Sequence, residues 1–258
     1  MKHYQRTITS FLVFLTITAS IYANDIPNEN DIKKTKITNI RSMIEPMSIA
    51  PLADSFVMIY NDTIEAGYML NKITLTESEI ILWDVSTFGR AVREEATCIL
   101  DRKTLQTKSM EISGTFGQGP LDTKLQWNGT KVEGYRAIQS ADTSLQGREE
   151  ISREFAEETI TRSEFILCYV RSMPLEIGMK FPLNLYACLE DTLWDVNISV
   201  ESKEKVTVPA GEFMTYKIVM TNGKPSNTYY VTDTTPMRLV RVDIEGMPLR
   251  IELAGKIE

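Results

Sequence analysis

The side chains that most often do chemistry near neutral pH are scarce in this sequence. Its 258 residues hold one histidine, His3, and three cysteines, Cys98, Cys168 and Cys188. Histidine is the commonest general base and imidazole ligand in that pH range. His3 falls inside a segment with the character of an export signal, so the chain beyond it has none. Ser-His and Cys-His nucleophile pairs, imidazole zinc sites and the two-histidine zinc helix are thereby excluded. The thiols have apolar neighbours, Ile99 and Leu100 beside Cys98, and Ile166 and Leu167 beside Cys168. Such surroundings keep a thiol protonated and inert. Cys168 and Cys188 are the candidate disulfide partners; three buried free thiols packed as small hydrophobes are the alternative.

Carboxylates are plentiful but not arranged for acid-base work. Glu149, Glu150, Glu154, Glu157 and Glu158 form the densest acidic group, and a charge run of this kind is a solvated face. Asp84 beside Trp83 and Asp195 beside Trp194 fall on the polar side of strand patterns and are expected at the surface. No run of Asp and Asn around a glycine has calcium-loop spacing. The expectation is a non-enzyme with no catalytic residue, no metal site and no cofactor. With 35 acidic against 28 basic residues, a formal charge of −7, the chain lacks the electrostatic footing for a phosphate backbone, so nucleic acid is excluded as a partner.

The positions of these residues are set first by where the chain goes. Lys2 and Arg6 precede an apolar run from Thr9 to Ile21, which ends at Ser20-Ile21-Tyr22-Ala23 before the polar Asn24-Asp25. That is the layout of a cleavable secretory signal over 1–23. The run is shorter than the ~20 residues a membrane-spanning helix requires, so a periplasmic or secreted protein, not an integral membrane protein, is expected. Loss of Lys2 and Arg6 leaves 26 basic against 35 acidic residues, or −9. Residues 24–53 are polar and interrupted by Pro27, Pro46 and Pro51; they predict an extended leader with a short helix near Ile37 to Met43. Residues 54–258 predict a single domain.

That domain is patterned for strands. Trp194, Val196, Ile198 and Val200 alternate with Asp195, Asn197 and Ser199, the period-two signature of a half-buried strand. Val240, Val242 and Ile244 repeat it, as do Leu249, Ile251 and Leu253, with Glu245-Gly246-Met247-Pro248 as the hairpin between them. Asn128-Gly129 predicts another hairpin through a type I′ turn. Further strands are expected at 56–60, 66–75, 80–86, 95–100, 105–113, 181–189, 211–220 and 227–232. About a dozen strands with short turns predict an all-β, mostly antiparallel meander forming a curled sheet, half-barrel or sandwich. One short helix is expected over 163–171, capped by Ser163 and ended by Met173-Pro174. The pattern of 147–159 fits neither helix nor strand clearly.

The segment Val206-Thr207-Val208-Pro209-Ala210-Gly211-Glu212-Phe213-Met214-Thr215-Tyr216-Lys217 resembles the signature of an exported bacterial family, domain of unknown function 3108. Tyr229-Tyr230-Val231-Thr232, Pro236 and Leu239-Val240-Arg241-Val242 are similar to its closing strands, Tyr60 with Ala66-Gly67 to its opening hairpin, and Leu167-Cys168-Tyr169-Val170-Arg171 to its helical stretch. The likeness runs from Ser55 to Gly255 and implies an exported β-rich protein with no residue roles to carry over. Independently, Pro209 presets φ for a turn that Gly211 closes, so these two residues are expected to fix strand register.

A long sheet with one apolar face must cover it. It can close on a second sheet, or curl around the helix and leave a groove lined by Trp194, Val196, Ile198, Val240 and Val242. The second form resembles periplasmic lipoprotein carriers at the level of fold alone. The expected function is binding of a lipid or other apolar small molecule, or of an envelope protein; the alternative is a structural envelope protein with no ligand.

Overall fold

Alternating apolar residues across the chain build one continuous sheet. The computed structural model describes residues 39–90, 92–117, 119–139 and 146–257; the expected signal segment 1–23 and the leader to 38 lie outside them. The first eight strands run as a meander, β1 (Leu52–Tyr60), β2 (Ile64–Leu75), β3 (Glu79–Phe88), β4 (Val92–Asp101), β5 (Thr107–Phe116), β6 (Gly119–Asn128), β7 (Lys131–Gln139) and β8 (Gln146–Glu154). The chain then crosses to β9 (Ile160–Thr161), forms a helical segment, and returns through β10 (Lys180–Ala187), β11 (Thr192–Val208), β12 (Gly211–Thr221), β13 (Asn227–Thr232), β14 (Leu239–Ile244) and β15 (Leu249–Lys256). β15 pairs antiparallel with β1, which joins the two meanders into fifteen strands ordered from β8 through β1 and β15 to β9. All pairs are antiparallel except β9 with β10. The all-β expectation holds, with more strands than about a dozen because β8 and β9 lack a clean apolar alternation.

The sheet curls until its outer edges face each other, yet no backbone ladder closes it. Side chains span the gap: Arg136 Nη1 donates to the Leu189 carbonyl at 2.8 Å, Arg153 pairs with Asp191, and Phe155 meets Tyr186 edge to face at 5.3 Å. Tight coiling brings neighbouring backbones very close at Gly67, Gly114 and Gly134, where a Cβ at Gly67 would fall 1.9 Å from the Thr87 carbonyl oxygen. A Cβ at Gly114 would fall 1.9 Å from the Arg93 carbonyl oxygen, and one at Gly134 2.0 Å from that of Lys124; only glycine permits this approach.

Two of the expected hairpins are present. Val208 pairs with Gly211 across Pro209-Ala210, with Gly211 at φ +130, and Ile244 pairs with Leu249. The third hairpin is displaced by one residue. Asn128 pairs with Lys131, so the turn is Gly129-Thr130, and only Gly129 has positive φ. That matches type II′, not the type I′ expected from Asn-Gly.

The interior is filled by a π-helical turn, Glu164–Cys168, followed by a 3₁₀ turn, Tyr169–Arg171. Phe165 lies edge to face against Tyr229 of β13 at 5.7 Å. Ser163 makes no capping bond. The cap is Thr161-Arg162-Ser163-Glu164, in which the Thr161 amide donates to Glu164 Oε2 at 2.6 Å and the Glu164 amide to Thr161 Oγ1 at 3.2 Å, the reciprocal pattern of a capping box. The C-terminal part of the expected leader also belongs to the domain, since Ile40, Ile44 and Ile49 are buried.

Candidate functional site

Two recesses open at opposite ends of the helical segment. The larger is a cavity of about 620 Å³ between the 43–54 segment, residues 168–175 and the 233–238 loop. Its wall is largely apolar, with Ile49, Leu52, Ile73, Met173, Leu175 and Met237. Its floor is charged. Asp54 enters from β1 on the same inward face as Phe56 and Met58, Arg171 from the end of the helical segment, and Arg238 from the loop before β14.

One carboxylate here faces two guanidinium groups. Arg238 Nη2 donates to Asp54 Oδ1 at 2.6 Å, whereas Arg171 Nη1 stands 3.6 Å from Asp54 Oδ2, too far to hydrogen-bond. Arg171 Nε donates to the Leu167 carbonyl at 2.9 Å, but among the described residues neither of its Nη atoms has a hydrogen-bond partner. Its side chain is 3% exposed and that of Asp54 2%. Burial pulls the Arg171 guanidinium down to about 10, partly opposed by Asp54, which still leaves it cationic at neutral pH. A buried polar group with no partner costs roughly 1–3 kcal/mol, and a charged one more. A natural fold holds such a group where something else satisfies it.

Between the recesses, a fully bonded network anchors the helical segment. Glu164 is buried and accepts from Thr107 Oγ1 at 2.9 Å, Tyr169 Oη at 3.2 Å and Arg41 Nη2 at 3.4 Å. Arg41 also donates to the carbonyls of Leu105 at 2.7 Å and Thr159 at 2.9 Å. Burial works against the Arg41 charge most strongly, but Glu164, Tyr169 and Glu158 together outweigh it and hold the guanidinium above its ordinary value. Every group finds a partner, as expected of a structural tie.

The smaller recess, about 90 Å³, is acidic. Glu94, Glu190 and Arg162 line it with Trp194 and Cys188. Asp84 lies within electrostatic reach of Glu94 and Arg162, and burial, with repulsion from Glu94, pushes its carboxyl up to about 8. Burial likewise raises Glu190 to about 7 and Glu94 above its ordinary value. Asp84 was expected at the surface. Its strand parity is that of Ile80 and Leu82, both buried, so it points inward, opposite Asn71 and, beyond that, Asp54. Asp195 is exposed as expected. Among the described residues, no three acidic, Cys or His side chains converge closely enough to hold a metal ion.

The residues predicted to line a groove do not meet there. Val196, Ile198, Val240 and Val242 are closed within the core, and Trp194 faces the small acidic recess. Alternation identifies the inward face of a strand but not which stretch of that face the helical segment covers. Cys168 and Cys188, the candidate disulfide pair, are both free, as is Cys98. Cys168 lines the large cavity and Cys188 the small one, at opposite ends of the helical segment. Burial raises all three thiols, Cys168 to about 12. The 149–158 glutamates are solvent-exposed, as expected, although Glu158 turns back to Arg41 at 3.1 Å.

Asp54, Arg171 and Arg238 were not singled out in the sequence. A signal was present for one of them, since Arg171 ends an otherwise apolar helical run, Phe165 to Val170.

A family model described as protein of unknown function, DUF3108, matches residues 55–252. None of the curated proteins matches the sequence. Among solved structures, the fold is similar to a beta-barrel-like protein of domain of unknown function DUF1849 from Brucella abortus, with 6% identity and TM-score 0.45 over 81% of this chain and 94% of that one. A protein of YmcC-like fold from Bacteroides fragilis, provisionally described as exported, is similar at 10% identity and TM-score 0.28, over 80% of this chain and 95% of that one.

Proposed function

We propose that this chain, which belongs to the DUF3108 family of proteins of unknown function, is an exported binding protein that holds an apolar ligand in the 620 Å³ cavity and does not transform it. Export rests on the signal-like segment over 1–23. The observation that carries the binding reading is the cavity itself. It is lined by Ile49, Ile73 and Met173, and recesses of 300–1,000 Å³ with apolar walls and a few polar groups are how proteins hold small molecules. The ligand reading is preferred to an envelope protein partner because the feature is recessed and not a protruding surface.

Nile red, a neutral dye that brightens in apolar surroundings, tests it. The folded protein is expected to take up the dye, and Ala50→Trp, which places an indole in the cavity wall, to reduce uptake with no shift in the denaturation midpoint. Protein purified without detergent is expected to carry an apolar molecule visible by native mass spectrometry. No uptake and no passenger molecule would favour the alternative, a structural envelope protein with no ligand.

A further inference from the structure

The polar end of the cavity specifies more than an apolar ligand. Three ionised groups form its floor: Asp54, Arg171 and Arg238. Two cations against one anion leave a single positive charge, on a floor where Arg171 and Asp54 are buried and Arg238 is partly exposed. The other ionised residues of the lining, Glu45, Asp233 and Lys256, are exposed at the rim, and Asp233 is already paired with Lys203 at 3.1 Å. The excess charge resides on Arg171, because Asp54 spends its short bond on Arg238 and Arg171 Nε is held by the Leu167 carbonyl. What remains is two buried Nη atoms of a planar guanidinium, side by side with no hydrogen-bond acceptor among the described residues.

We infer that the cavity takes an amphiphile with one carboxylate head, a fatty-acid-like molecule whose head is held end-on by Arg171 Nη1 and Nη2 and whose chain lies along Ile49, Ile73, Met173 and Leu175. The inference rests on the binding reading above and adds the head group. Two parallel N–H donors match the two oxygens of a carboxylate. One negative charge neutralises the floor, whereas a doubly charged phosphate monoester would leave it negative beside Asp54. A neutral alcohol of equal length gains the apolar contacts and leaves Arg171 unsatisfied.

Decanoate, decan-1-ol and decyl phosphate, each displacing Nile red from the full-length mature protein at pH 7, separate these cases. Decanoate is expected to displace the dye at least tenfold more effectively than decan-1-ol, and better than decyl phosphate. In Arg171→Met the preference for decanoate over the alcohol is expected to vanish while displacement by the alcohol persists. Equal displacement by decanoate and decan-1-ol in the wild-type protein overturns the head-group assignment but leaves the apolar site standing, and needs no variant to be folded. Decyl phosphate equal to or better than decanoate overturns the one-charge count. Failure of all three, with no dye uptake to begin with, removes the binding reading as well.

Discussion

The two ends of the helical segment present the same physical problem with opposite signs, and only one of them can solve it alone. At the acidic end, Asp84, Glu94 and Glu190 face Arg162, and Arg136 also reaches Glu190. Carboxylic acids escape such crowding by taking up protons, and burial with mutual repulsion pushes Asp84 up to about 8 and Glu190 to about 7, within reach of neutral pH. At the cationic end, Arg171 and Arg238 face one anion, Asp54. Guanidinium stays protonated at any working pH; even pulled down to about 10, Arg171 remains charged. A half-buried surplus of acid is therefore self-relieving, and a buried surplus of arginine calls for an anion from outside. That asymmetry is why the cationic end, and not the acidic one, is assigned to the ligand.

Removing the main counter-charge at each end breaks the comparison most directly. Asp54→Ala leaves two guanidinium groups facing each other and is expected to cost about 3–5 kcal/mol in urea denaturation at pH 7, the loss typical of a broken buried pair. A loss below 1 kcal/mol would mean that water reaches the floor and the charge is not confined.

The next effect is on pH dependence. Asp84, Glu94 and Glu190 have folded values above those of the unfolded chain, so between the ordinary carboxylate range and about pH 8 the folded state binds more protons. Stability then falls as pH rises through that window. These side chains are only half-buried, so after discounting for screening the protein is expected to be about 2 kcal/mol more stable at pH 5 than at pH 8. Asp84→Asn with Glu190→Gln is expected to flatten the profile, and a profile that rises with pH would contradict the protonated state of this end.

The smallest effect is the mirror of the first. Arg162→Met removes the cation that Asp84, Glu94 and Glu190 share, yet the neighbouring carboxyls can answer by protonating further, so the expected loss is about 1 kcal/mol, with a steeper pH dependence. A loss matching that of Asp54→Ala would erase the distinction.

The sheet was legible in the sequence because its determinants are local. Alternation at Trp194 to Val200 and turn residues at Pro209 to Gly211 act between neighbours, and the structure keeps both. The cationic floor was not legible because residues 54, 171 and 238 meet only after both meanders have coiled and β15 has paired with β1. Parity alone would have placed Asp54 inside with Phe56, and Asp84 inside with Leu82; what it lacks is the guanidinium that makes the position tolerable. The helical cap is written in Thr161-x-x-Glu164, whereas Ser163 sits nearer the apolar run and makes no capping bond.

The measurement closest to the central claim follows the carboxyl carbon of ¹³C-labelled decanoate by NMR as pH is lowered in the presence of the protein. Burial in an apolar cavity alone raises a carboxylic acid's pKa, whereas an unsatisfied guanidinium in contact lowers it. A separate bound resonance that stays at its carboxylate position below the midpoint of free decanoate is the predicted result. A bound resonance that protonates at or above the free midpoint, or none distinct from free decanoate, would contradict the assignment of Arg171 as the head-group partner.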